Sequence, residues 1–339
     1  MHLLQVCHVG QICGGTAACA WTITKAFPDW KHSVLFLSAP TKETRQAFSH
    51  CQIAHVHYVN DDVLKPFSPD LVILHNTAAR HVTSIHSAMT IQYRHSQGTH
   101  ARGDWDVACS KWLAETMTTG QGTDVIPVLH QPVPRPPQPA DSPARHLSHE
   151  LTIGRLCTPH PRKWPVSALP VYRQVSEAFP EIRWEFVGCP GELQPAWRAA
   201  CQERVTFLPA GWNARSHLWR WHVLLYHHPT LTESFGRTVA ESLRCGCIPV
   251  VDDRGGFREQ LLPTSKSRPL IGDLCRTPDE FVTAINPLRV PAVWWERSLY
   301  ARQAGDEQFS LASFRQRFLR QFKLLPDQTA DSPAVLPLR

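Results

Sequence analysis

Short apolar runs alternate with helical stretches along the whole chain. Seven runs predict strands in the first half, at 2–9, 33–38, 53–59, 70–75, 89–95, 106–110 and 124–129. Helical patterns lie between them, over 16–27 and over 110–119, and Ser110 is the predicted N-cap of the second helix. Strands of this length separated by helices are typical of parallel α/β layers.

The alternation stops once and then starts again. Residues 130–148 hold six prolines and show no apolar periodicity, which predicts a linker. Strands are predicted again at 151–156, 183–188, 204–209, 223–227, 248–252 and 269–272. We therefore predict two doubly wound, Rossmann-like domains, residues 1–135 and 149–305. Since such sheets bind ligands at the carboxyl ends of their strands, the site is expected in a central cleft that both domains face.

The last helical pattern, over 309–325, is amphipathic and basic. Its apolar face is Leu311, Phe314, Phe318, Phe322 and Leu325. A basic amphipathic helix either packs against a domain or lies on an anionic membrane surface. We expect 306–325 to pack back on the N-terminal domain and 326–339 to form a flexible tail.

Composition narrows the class of protein. The chain has 339 residues, 42% of them hydrophobic, which suffices for two ordinary cores and excludes a disordered polypeptide. Its net charge of +6 is too small to require nucleic acid as a partner. An anionic small molecule or an acidic membrane surface fits this charge.

The eleven cysteines are scattered, and the first residues, MHLLQVCHVG, lack the basic region and apolar core of a signal peptide. No apolar run approaches the ~18 residues of a membrane span. A cytoplasmic location follows as an expectation, with peripheral membrane contact left open. The close pairs His227-His228 and Cys245-x-Cys247 lack the paired spacing of a zinc site, so no metal is predicted.

The segment from 223 to 262 predicts strand, loop, helix, strand, loop and helix. Glu233 precedes the first of these helices, and Ser234, Phe235 and Gly236 are expected to offer its free N–H groups to an anion. Glu241 follows eight residues later. On an ideal helix it lies roughly 80° around and about 12 Å along the axis.

Two carboxylates so placed fit the two ends of a nucleotide sugar, with the diphosphate between them. In the alternative interpretation, Glu233 only favours the helix dipole and Glu241 is a solvated side chain.

The stretch ESFGRTVAESLRCGCIPVVDDRGG is similar to the E-x7-E signature of retaining glycosyltransferases with the GT-B fold, in particular glycosyltransferase family 4. Three further elements resemble that family in the same order. They are Gly14-Gly15 after the first strand, Ile153-Gly154-Arg155-Leu156 followed by Lys163, and Val187-Gly188. The order of elements is similar over 1–325.

The resemblance implies roles for individual residues. Glu233 would lie by the hydroxyls of the donor sugar and Glu241 by the ribose hydroxyls. The amides of Ser234, Phe235 and Gly236 would hold the diphosphate.

Two more pairs of residues have implied roles. Arg155 and Lys163 would neutralise the departing diphosphate without a metal. Arg162 is a rival to Lys163, because the Arg–Lys spacing is eight residues here and about six in the family. Gly14 and Gly15 would let the backbone approach the donor closely.

A histidine near the reacting centre is also implied. His95, in QYRHSQGTH, is the candidate that could bond the donor sugar or the acceptor hydroxyl, and His75 is the second choice.

The resemblance implies a retaining, metal-independent transfer of a hexose-type unit, with a UDP-sugar as the favoured donor and a GDP-sugar as the alternative. Without a carboxylate placed as a covalent nucleophile, front-face substitution is expected, with the departing phosphate oxygen taking the acceptor proton. The acceptor, whether a small molecule, a glycan or a lipid-linked group, stays open. The alternatives are a nucleotide-sugar epimerase of GT-B fold and a non-catalytic sugar- or nucleotide-binding homologue.

Overall fold

The computed structural model describes residues 1–118, 126–139, 150–262 and 270–324. Its strands are β1 His2–Cys7, β2 Lys31–Phe36, β3 Gln52–His55, β4 Leu71–His75, β5 Met89–Arg94, β6 Trp105–Ala108, β7 Thr152–Leu156, β8 Arg183–Val187, β9 Val205–Leu208, β10 Val223–Tyr226, β11 Ile248–Asp252 and β12 Asp273–Cys275. Its α-helices are α1 Gly15–Ala26, α2 Lys42–Ala47, α3 Asp61–Leu64, α4 Lys111–Thr118, α5 Leu169–Ala178, α6 Gln194–Ala200, α7 Arg237–Cys245, α8 Phe257–Leu261, α9 Pro278–Ile285, α10 Pro291–Phe309 and α11 Leu311–Gln321. Short 3₁₀ helices lie at Ala79–His81, Pro161–Lys163, Val166–Ala168, Gly191–Leu193, Trp212–Trp219 and Asn286–Arg289.

The strands form two six-stranded sheets with the same topology. The first has the order β3-β2-β1-β4-β5-β6 and the second the order β12-β11-β10-β7-β8-β9. All neighbouring strands are parallel. Central strands such as Leu71–His75 are buried along their whole length, as expected for parallel sheets covered on both faces. The predicted fold of two doubly wound Rossmann-like domains is confirmed, and each sheet reverses its strand order once, between β1 and β4 and between β7 and β10.

Two strand predictions are wrong, and a proline explains each. In 124–129 the described residues form a single bridge, between Ala108 and Val128, because Pro127 has no N–H to donate to a ladder. The strand predicted at 269–272 lies instead at Asp273–Cys275. Its ladder with β11 begins only after Pro249, whose ring also packs against Gly272.

The chain returns from the second domain to the first through its last two helices. α10 does not continue into α11, because Ser310 is extended and its hydroxyl accepts a hydrogen bond from the N–H of Ser313, which starts a new helix. Residues 306–309 therefore belong to α10, whereas the sequence predicts one helix over 306–325.

The apolar face predicted for the last helix lies against α1. Phe314, Phe318 and Phe322 are buried, and the ring of Phe318 lies 5.1 Å from that of Phe27. Leu325 and the predicted tail, 326–339, lie outside the described residues. Within the described part of the chain, no helix is both long and apolar enough to cross a bilayer.

The two domains also meet at the start of α4. The prediction of Ser110 as N-cap is confirmed, since its hydroxyl accepts a hydrogen bond from the N–H of Leu113 at 3.0 Å. Glu259, from α8 of the second domain, accepts hydrogen bonds from the N–H groups of Lys111 at 2.8 Å and Trp112 at 3.3 Å. A carboxylate at a helix N-terminus is stabilised by the dipole, so this contact orients one domain on the other.

Phe318→Ala is expected to lower the free energy of unfolding by about 3–5 kcal/mol, because it leaves a cavity between α11 and α1. Thermal and urea denaturation measure the change. Arg320→Ala, on the exposed face of the same helix, is the matched control and should change stability by less than about 0.5 kcal/mol. Equal effects of the two substitutions would contradict this packing.

Candidate functional site

A cavity of about 540 Å³ lies between the carboxyl edges of the two sheets. Its first-domain wall comes from residues that follow β1, β4 and β5, and its second-domain wall mainly from residues that follow β7, β9 and β10. The sequence-predicted residues that line it are Gly15, His95, Arg162, Lys163, Glu233, Ser234, Phe235, Gly236 and Glu241. The predicted residues Gly14, Arg155 and His75 do not line it.

Glu233 is the centre of the second-domain wall. Its Oε1 atom accepts two hydrogen bonds, one from the Lys163 ammonium and one, at 2.7 Å, from the Tyr226 hydroxyl. The side chains of Lys163 and Glu233 are 19% and 24% exposed. Burial alone would raise the pKa of Glu233, but the Lys163 cation and the two hydrogen bonds outweigh it and lower the pKa, so the carboxyl is ionised.

The helical geometry expected for Glu233 does not hold. α7 begins only at Arg237, so Glu233 lies in the loop before it. Glu233 and Glu241 therefore do not belong to the same helix. Gly236, with φ +81°, turns the chain into the helix, and a Cβ there would lie 2.3 Å from the Phe257 ring. The helical N–H groups therefore begin at Arg237, three residues later than the sequence predicts, and Ser234, Phe235 and Gly236 precede the helix.

Arg155 does not reach the cavity, so its expected contact with a diphosphate is not what the structure shows. The side chain has no solvent exposure. Its guanidinium donates hydrogen bonds to the Tyr172 hydroxyl at 2.5 Å and to the carbonyls of His227 at 3.0 Å and Lys163 at 2.7 Å. The side chain points into the core of the domain, where these three acceptors compensate the buried positive charge. Arg155 is placed to fix the backbone of Lys163.

Glu241 is nearly buried and lies between two arginines. Its carboxylate is 3.3 Å from the Arg215 guanidinium and 3.8 Å from that of Arg237. Arg215 in turn lies over the ring of Trp212, with its guanidinium carbon 3.7 Å from the ring centroid. The alternative interpretation, in which Glu241 is a solvated side chain, is therefore wrong.

Arg237 joins the two domains at the site. It donates hydrogen bonds to the Thr22 hydroxyl of α1 at 3.2 Å and, in the linker, to the Gln131 side-chain oxygen at 3.2 Å and the Pro132 carbonyl at 3.0 Å. Trp212 makes a second link, since its ring meets that of Trp21 edge-on at 5.0 Å. The cavity is thus shaped by residues of both domains.

The glycine pair lies at the start of α1. Gly14 is the N-cap residue, and its N–H donates to the Gln11 carbonyl at 3.0 Å. Gly15 lines the cavity, and a Cβ built there would have no neighbour within 4 Å. Of the two, Gly15 is the position at which a ligand can approach the backbone.

His75 and His95 belong to a directional chain of hydrogen bonds. Gln131 separates His95 from Arg237, with its amide nitrogen 2.8 Å from Nδ1 of His95. Nε2 of His95 is 2.9 Å from Nδ1 of His75, and Nε2 of His75 is 2.9 Å from the Gln5 side-chain oxygen.

The ends of this chain fix its polarity. Arg237 can only donate, so the Gln131 oxygen accepts from it and the Gln131 amide donates to His95. At the other end, Gln5 donates to the Ala20 carbonyl, so its oxygen accepts from His75. Both histidines are then neutral, and burial lowers the pKa of each, that of His75 to about 3.

His95 therefore has both ring nitrogens bonded to protein partners. The expectation that it bonds a sugar or acceptor hydroxyl through its ring does not fit this arrangement.

Cys19, His75 and His95 are the one group of possible metal ligands among the described residues, with ligand atoms within 4.8 Å of one another. A metal there would displace hydrogen bonds that both rings already make. It would also lie near the Arg237 cation, whose positive charge by itself lowers the pKa of both Cys19 and His95. The position of these three side chains is better explained by the hydrogen-bond chain than by a metal site.

The cavity has an excess of positive charge. Its described lining contains four cationic side chains, Arg162, Lys163, Arg215 and Arg237, and two carboxylates. Arg162 is exposed at the rim, whereas Lys163 is bonded to Glu233. An excess of two positive charges in a partly buried cleft fits an anionic ligand such as a diphosphate.

Comparisons with solved structures show which fold this is. The structure superposes on HepE of Anabaena in complex with UDP-glucose with a TM-score of 0.73 and 15% identity, covering 96% of this chain and 100% of that one. It superposes on sucrose-phosphate synthase of Thermosynechococcus elongatus with a TM-score of 0.71 and 13% identity, covering 96% and 98%. For the lipopolysaccharide outer core galactosyltransferase WaaB the TM-score is 0.61 and the identity 18%, covering 96% and 100%.

The chain has the GT-B fold. No protein-family model matches the sequence, and no curated protein matches it. Within this fold the cavity occupies the cleft between the two Rossmann-like domains, as the sequence predicts.

Sequence reasoning missed several residues of the site, among them His8, Trp212, Arg215, Tyr226 and Arg237. His8 and Tyr226 stand at the carboxyl ends of predicted strands, and Arg237 directly follows Gly236, so their positions along the chain could have indicated them. Trp212 and Arg215 lie in a segment without any motif. They reach the site only because the loop after β9 folds over it.

Lys163→Met is expected to destabilise the protein by about 1–3 kcal/mol at pH 7, because it leaves the Glu233 carboxylate half-buried without its cation. The lowered pKa of Glu233 stabilises the parent above the carboxyl's ordinary pKa, and this stabilisation is lost as the pH falls. In the variant, burial raises the pKa instead. The deficit relative to the parent should therefore shrink between pH 7 and pH 4.

Thermal denaturation at both pH values measures this. The double variant Lys163→Met, Glu233→Gln should recover most of the lost stability at pH 7, and Arg162→Met is the matched control at the rim. A deficit that is the same at both pH values would contradict the ion pair.

Proposed function

We propose that this protein is a retaining, metal-independent glycosyltransferase of family 4 that moves a sugar from a nucleoside-diphosphate sugar to an acceptor hydroxyl. The observation that carries the proposal is the Lys163–Glu233–Tyr226 cluster in a cationic cleft between two Rossmann-like domains. The E-x7-E motif supplies Glu233 and Glu241 in that cleft. UDP is the favoured nucleotide, since HepE, of the same fold, is described in complex with UDP-glucose.

The second-domain wall suits the donor. Glu233 is ionised and can accept hydrogen bonds from sugar hydroxyls, while Tyr226 and Lys163 hold its carboxylate in place. Glu241, deeper along α7, can accept from the ribose hydroxyls. Lys163 and the N-terminus of α7 provide positive charge where the diphosphate leaves, and such preorganised charge stabilises a departing anion.

If the transfer is retaining, front-face substitution is the route that fits the state of the two carboxylates. Glu233 is paired with Lys163, and Glu241 with Arg215 and Arg237, so neither of these cavity-lining groups is free to attack the anomeric carbon. Front-face substitution does not need such a nucleophile. The four cationic side chains that line the cavity supply the charge compensation that a metal would otherwise provide.

The cytoplasm is the location that we propose, because nine of the eleven cysteines are buried thiols. The apolar face of α11 is used in packing against the first domain. Any membrane-bound or lipid-linked acceptor would therefore approach the charged face of α11 rather than its apolar face.

Calorimetry with UDP, GDP, UDP-glucose and a GDP-sugar tests the proposal directly. A bound donor should also raise the thermal midpoint, because it stabilises the folded state by mass action. NMR of the product then gives the anomeric configuration, which should match that of the donor. Failure of the whole panel to bind would refute the proposal, and conversion of donor alone to an epimer would favour the epimerase.

Glu241→Ala is expected to weaken donor binding by roughly 10- to 100-fold, since hydrogen bonds to a charged group contribute about 1.5–3 kcal/mol. Glu296→Ala, an exposed glutamate on α10, is the matched control and should bind like the parent. Equal affinities of the Glu241 variant and the parent would remove Glu241 from the donor site.

Lys163→Ala is expected to lower kcat by about 10²–10³-fold, the usual loss when one preorganised donor to a developing negative charge is removed. Donor affinity, measured by calorimetry, should change much less. Arg162→Ala is the control for the alternative cation. If Arg162→Ala lowers kcat more than Lys163→Ala does, the two roles are exchanged.

A further inference from the structure

The two walls of the cavity differ in charge. The four cationic side chains that line it all come from the second domain. The lining residues that come from residues 1–118 include no lysine, arginine, aspartate or glutamate. This first-domain wall consists of small apolar and hydroxyl or amide side chains together with the imidazoles of His8 and His95. A ligand group held there therefore meets no fixed positive charge on its own side of the cleft.

A negative charge lies behind this wall. The thiol of Cys13, which lines the cavity, donates to one Glu43 carboxylate oxygen at 3.7 Å. The other oxygen of Glu43 accepts a hydrogen bond from the N–H of Trp212 at 3.2 Å. An anionic group that approached this part of the wall would give up its water and face a carboxylate. The wall therefore suits an uncharged ligand, in contrast to the cationic wall across the cleft.

Asn76 and Ser96 give this wall a hydrogen-bond donor. Asn76 has φ +50°, a left-handed conformation that asparagine adopts more readily than most side chains. Its side-chain oxygen accepts from the N–H groups of His95 at 2.6 Å and Ser96 at 3.3 Å, so its amide nitrogen faces the Ser96 hydroxyl and donates to it at 2.9 Å. The hydroxyl oxygen of Ser96 is thus an acceptor within the protein. Its hydrogen has no acceptor in the part of the chain that the structure describes, and it is left to donate to a ligand.

His8 gives the same wall a hydrogen-bond acceptor. Its Nδ1 lies 3.2 Å from the backbone carbonyl oxygen of His75, and since a carbonyl can only accept, Nδ1 donates. In the neutral ring Nε2 then carries the free lone pair, which has no partner within residues 1–118, 126–139, 150–262 and 270–324. A hydroxyl group both donates and accepts. A ligand with several hydroxyls therefore matches the donor at Ser96 and the acceptor at His8 together.

We propose that the first-domain wall binds the acceptor and that the acceptor is an uncharged saccharide. This inference rests on the proposed glycosyl transfer, in which the nucleotide occupies the cationic second-domain wall. Ser96 and His8 hold hydroxyls of the saccharide that do not react. The reacting hydroxyl lies on the face of the anomeric carbon that the diphosphate leaves, and its proton passes to the departing phosphate oxygen. His8 is thus a binding residue that determines specificity.

The experiment measures binding of saccharides by saturation-transfer NMR with UDP, or the nucleotide of the panel that binds best, at saturating concentration. The bound nucleotide occupies the cationic wall, so a second phosphate group cannot be held there. The probes are the methyl glycosides of glucose, galactose, mannose and N-acetylglucosamine, and the 6-phosphates of the same glycosides. The variants are Ser96→Lys and His8→Ala. Ser49→Lys, an exposed serine outside the cavity, is the matched control.

The parent should bind at least one neutral glycoside, and the 6-phosphate of that glycoside about tenfold more weakly, because the phosphate loses hydration without gaining a cation. Ser96→Lys should narrow this preference by about tenfold, since an ammonium on the wall makes a charge-assisted hydrogen bond to phosphate. His8→Ala should weaken binding of the neutral glycoside by about 3- to 10-fold, the usual effect of losing one hydrogen bond. Nucleotide affinity, measured by calorimetry, should stay within twofold in every variant, and Ser49→Lys should behave like the parent.

A parent that binds the nucleotide but no neutral glycoside, or that binds a 6-phosphate as tightly as its neutral form, would overturn the inference and leave the glycosyl transfer intact. Parent-like preferences in both Ser96→Lys and His8→Ala would overturn the assignment to this wall. Loss of nucleotide binding in His8→Ala would place His8 in the donor site instead. A parent that binds no nucleotide or nucleotide sugar of the panel would refute the proposed function, and this inference with it.

Discussion

The site depends on a cation that is buried where no ligand can reach it. The Arg155 guanidinium has no exposure and is stabilised there by the carbonyls of Lys163 and His227 and the Tyr172 hydroxyl, which accept its hydrogen bonds. These two carbonyls belong to the segments that follow β7 and β10. The buried cation therefore ties together the two loops at the switch point of the second sheet. Lys163 is held where its ammonium meets Glu233, and the charge on the cavity wall is set before any ligand arrives.

The first domain is coupled to this wall by direct contacts and by the fixed donor-to-acceptor direction of a chain of hydrogen bonds. Arg237 can only donate, and its position after the Gly236 turn directs it to the Gln131 oxygen. That contact orients the Gln131 amide towards His95, and the chain ends on a backbone carbonyl beyond Gln5. Protonating His95 would place two donors against each other. Turning the Gln131 amide over would only move the conflict to Arg237. A residue of the second-domain wall thus keeps an imidazole of the first-domain wall neutral.

The parallel sheets were predictable because their strands are apolar along their length, and the errors came at Pro127 and Pro249, where a missing N–H shifts the ladder. Glu233, Lys163, Gly236 and Glu241 were predictable from local motifs that reach the same strand edge. The orientation of Arg155 was not, since both faces of a parallel sheet are buried and the sequence of β7 does not say which face holds acceptors for a cation. The state of His95 was not predictable either, because its partners come from elements far apart in the chain.

The division between the walls follows from which charged groups each can hold in a partly buried cleft. Fixed cations need carboxylates and carbonyls nearby, and the loops after β7 and β10 provide them around Lys163 and Glu233. A basic imidazole next to those cations would lose affinity for a proton, since like charges disfavour the protonated form. The imidazoles that line the cavity are instead on the other domain, where His8 is bonded to the carbonyl of His75 and burial lowers the pKa of His95. A cationic wall and a wall that carries imidazoles are therefore compatible in one cleft because separate domains supply them.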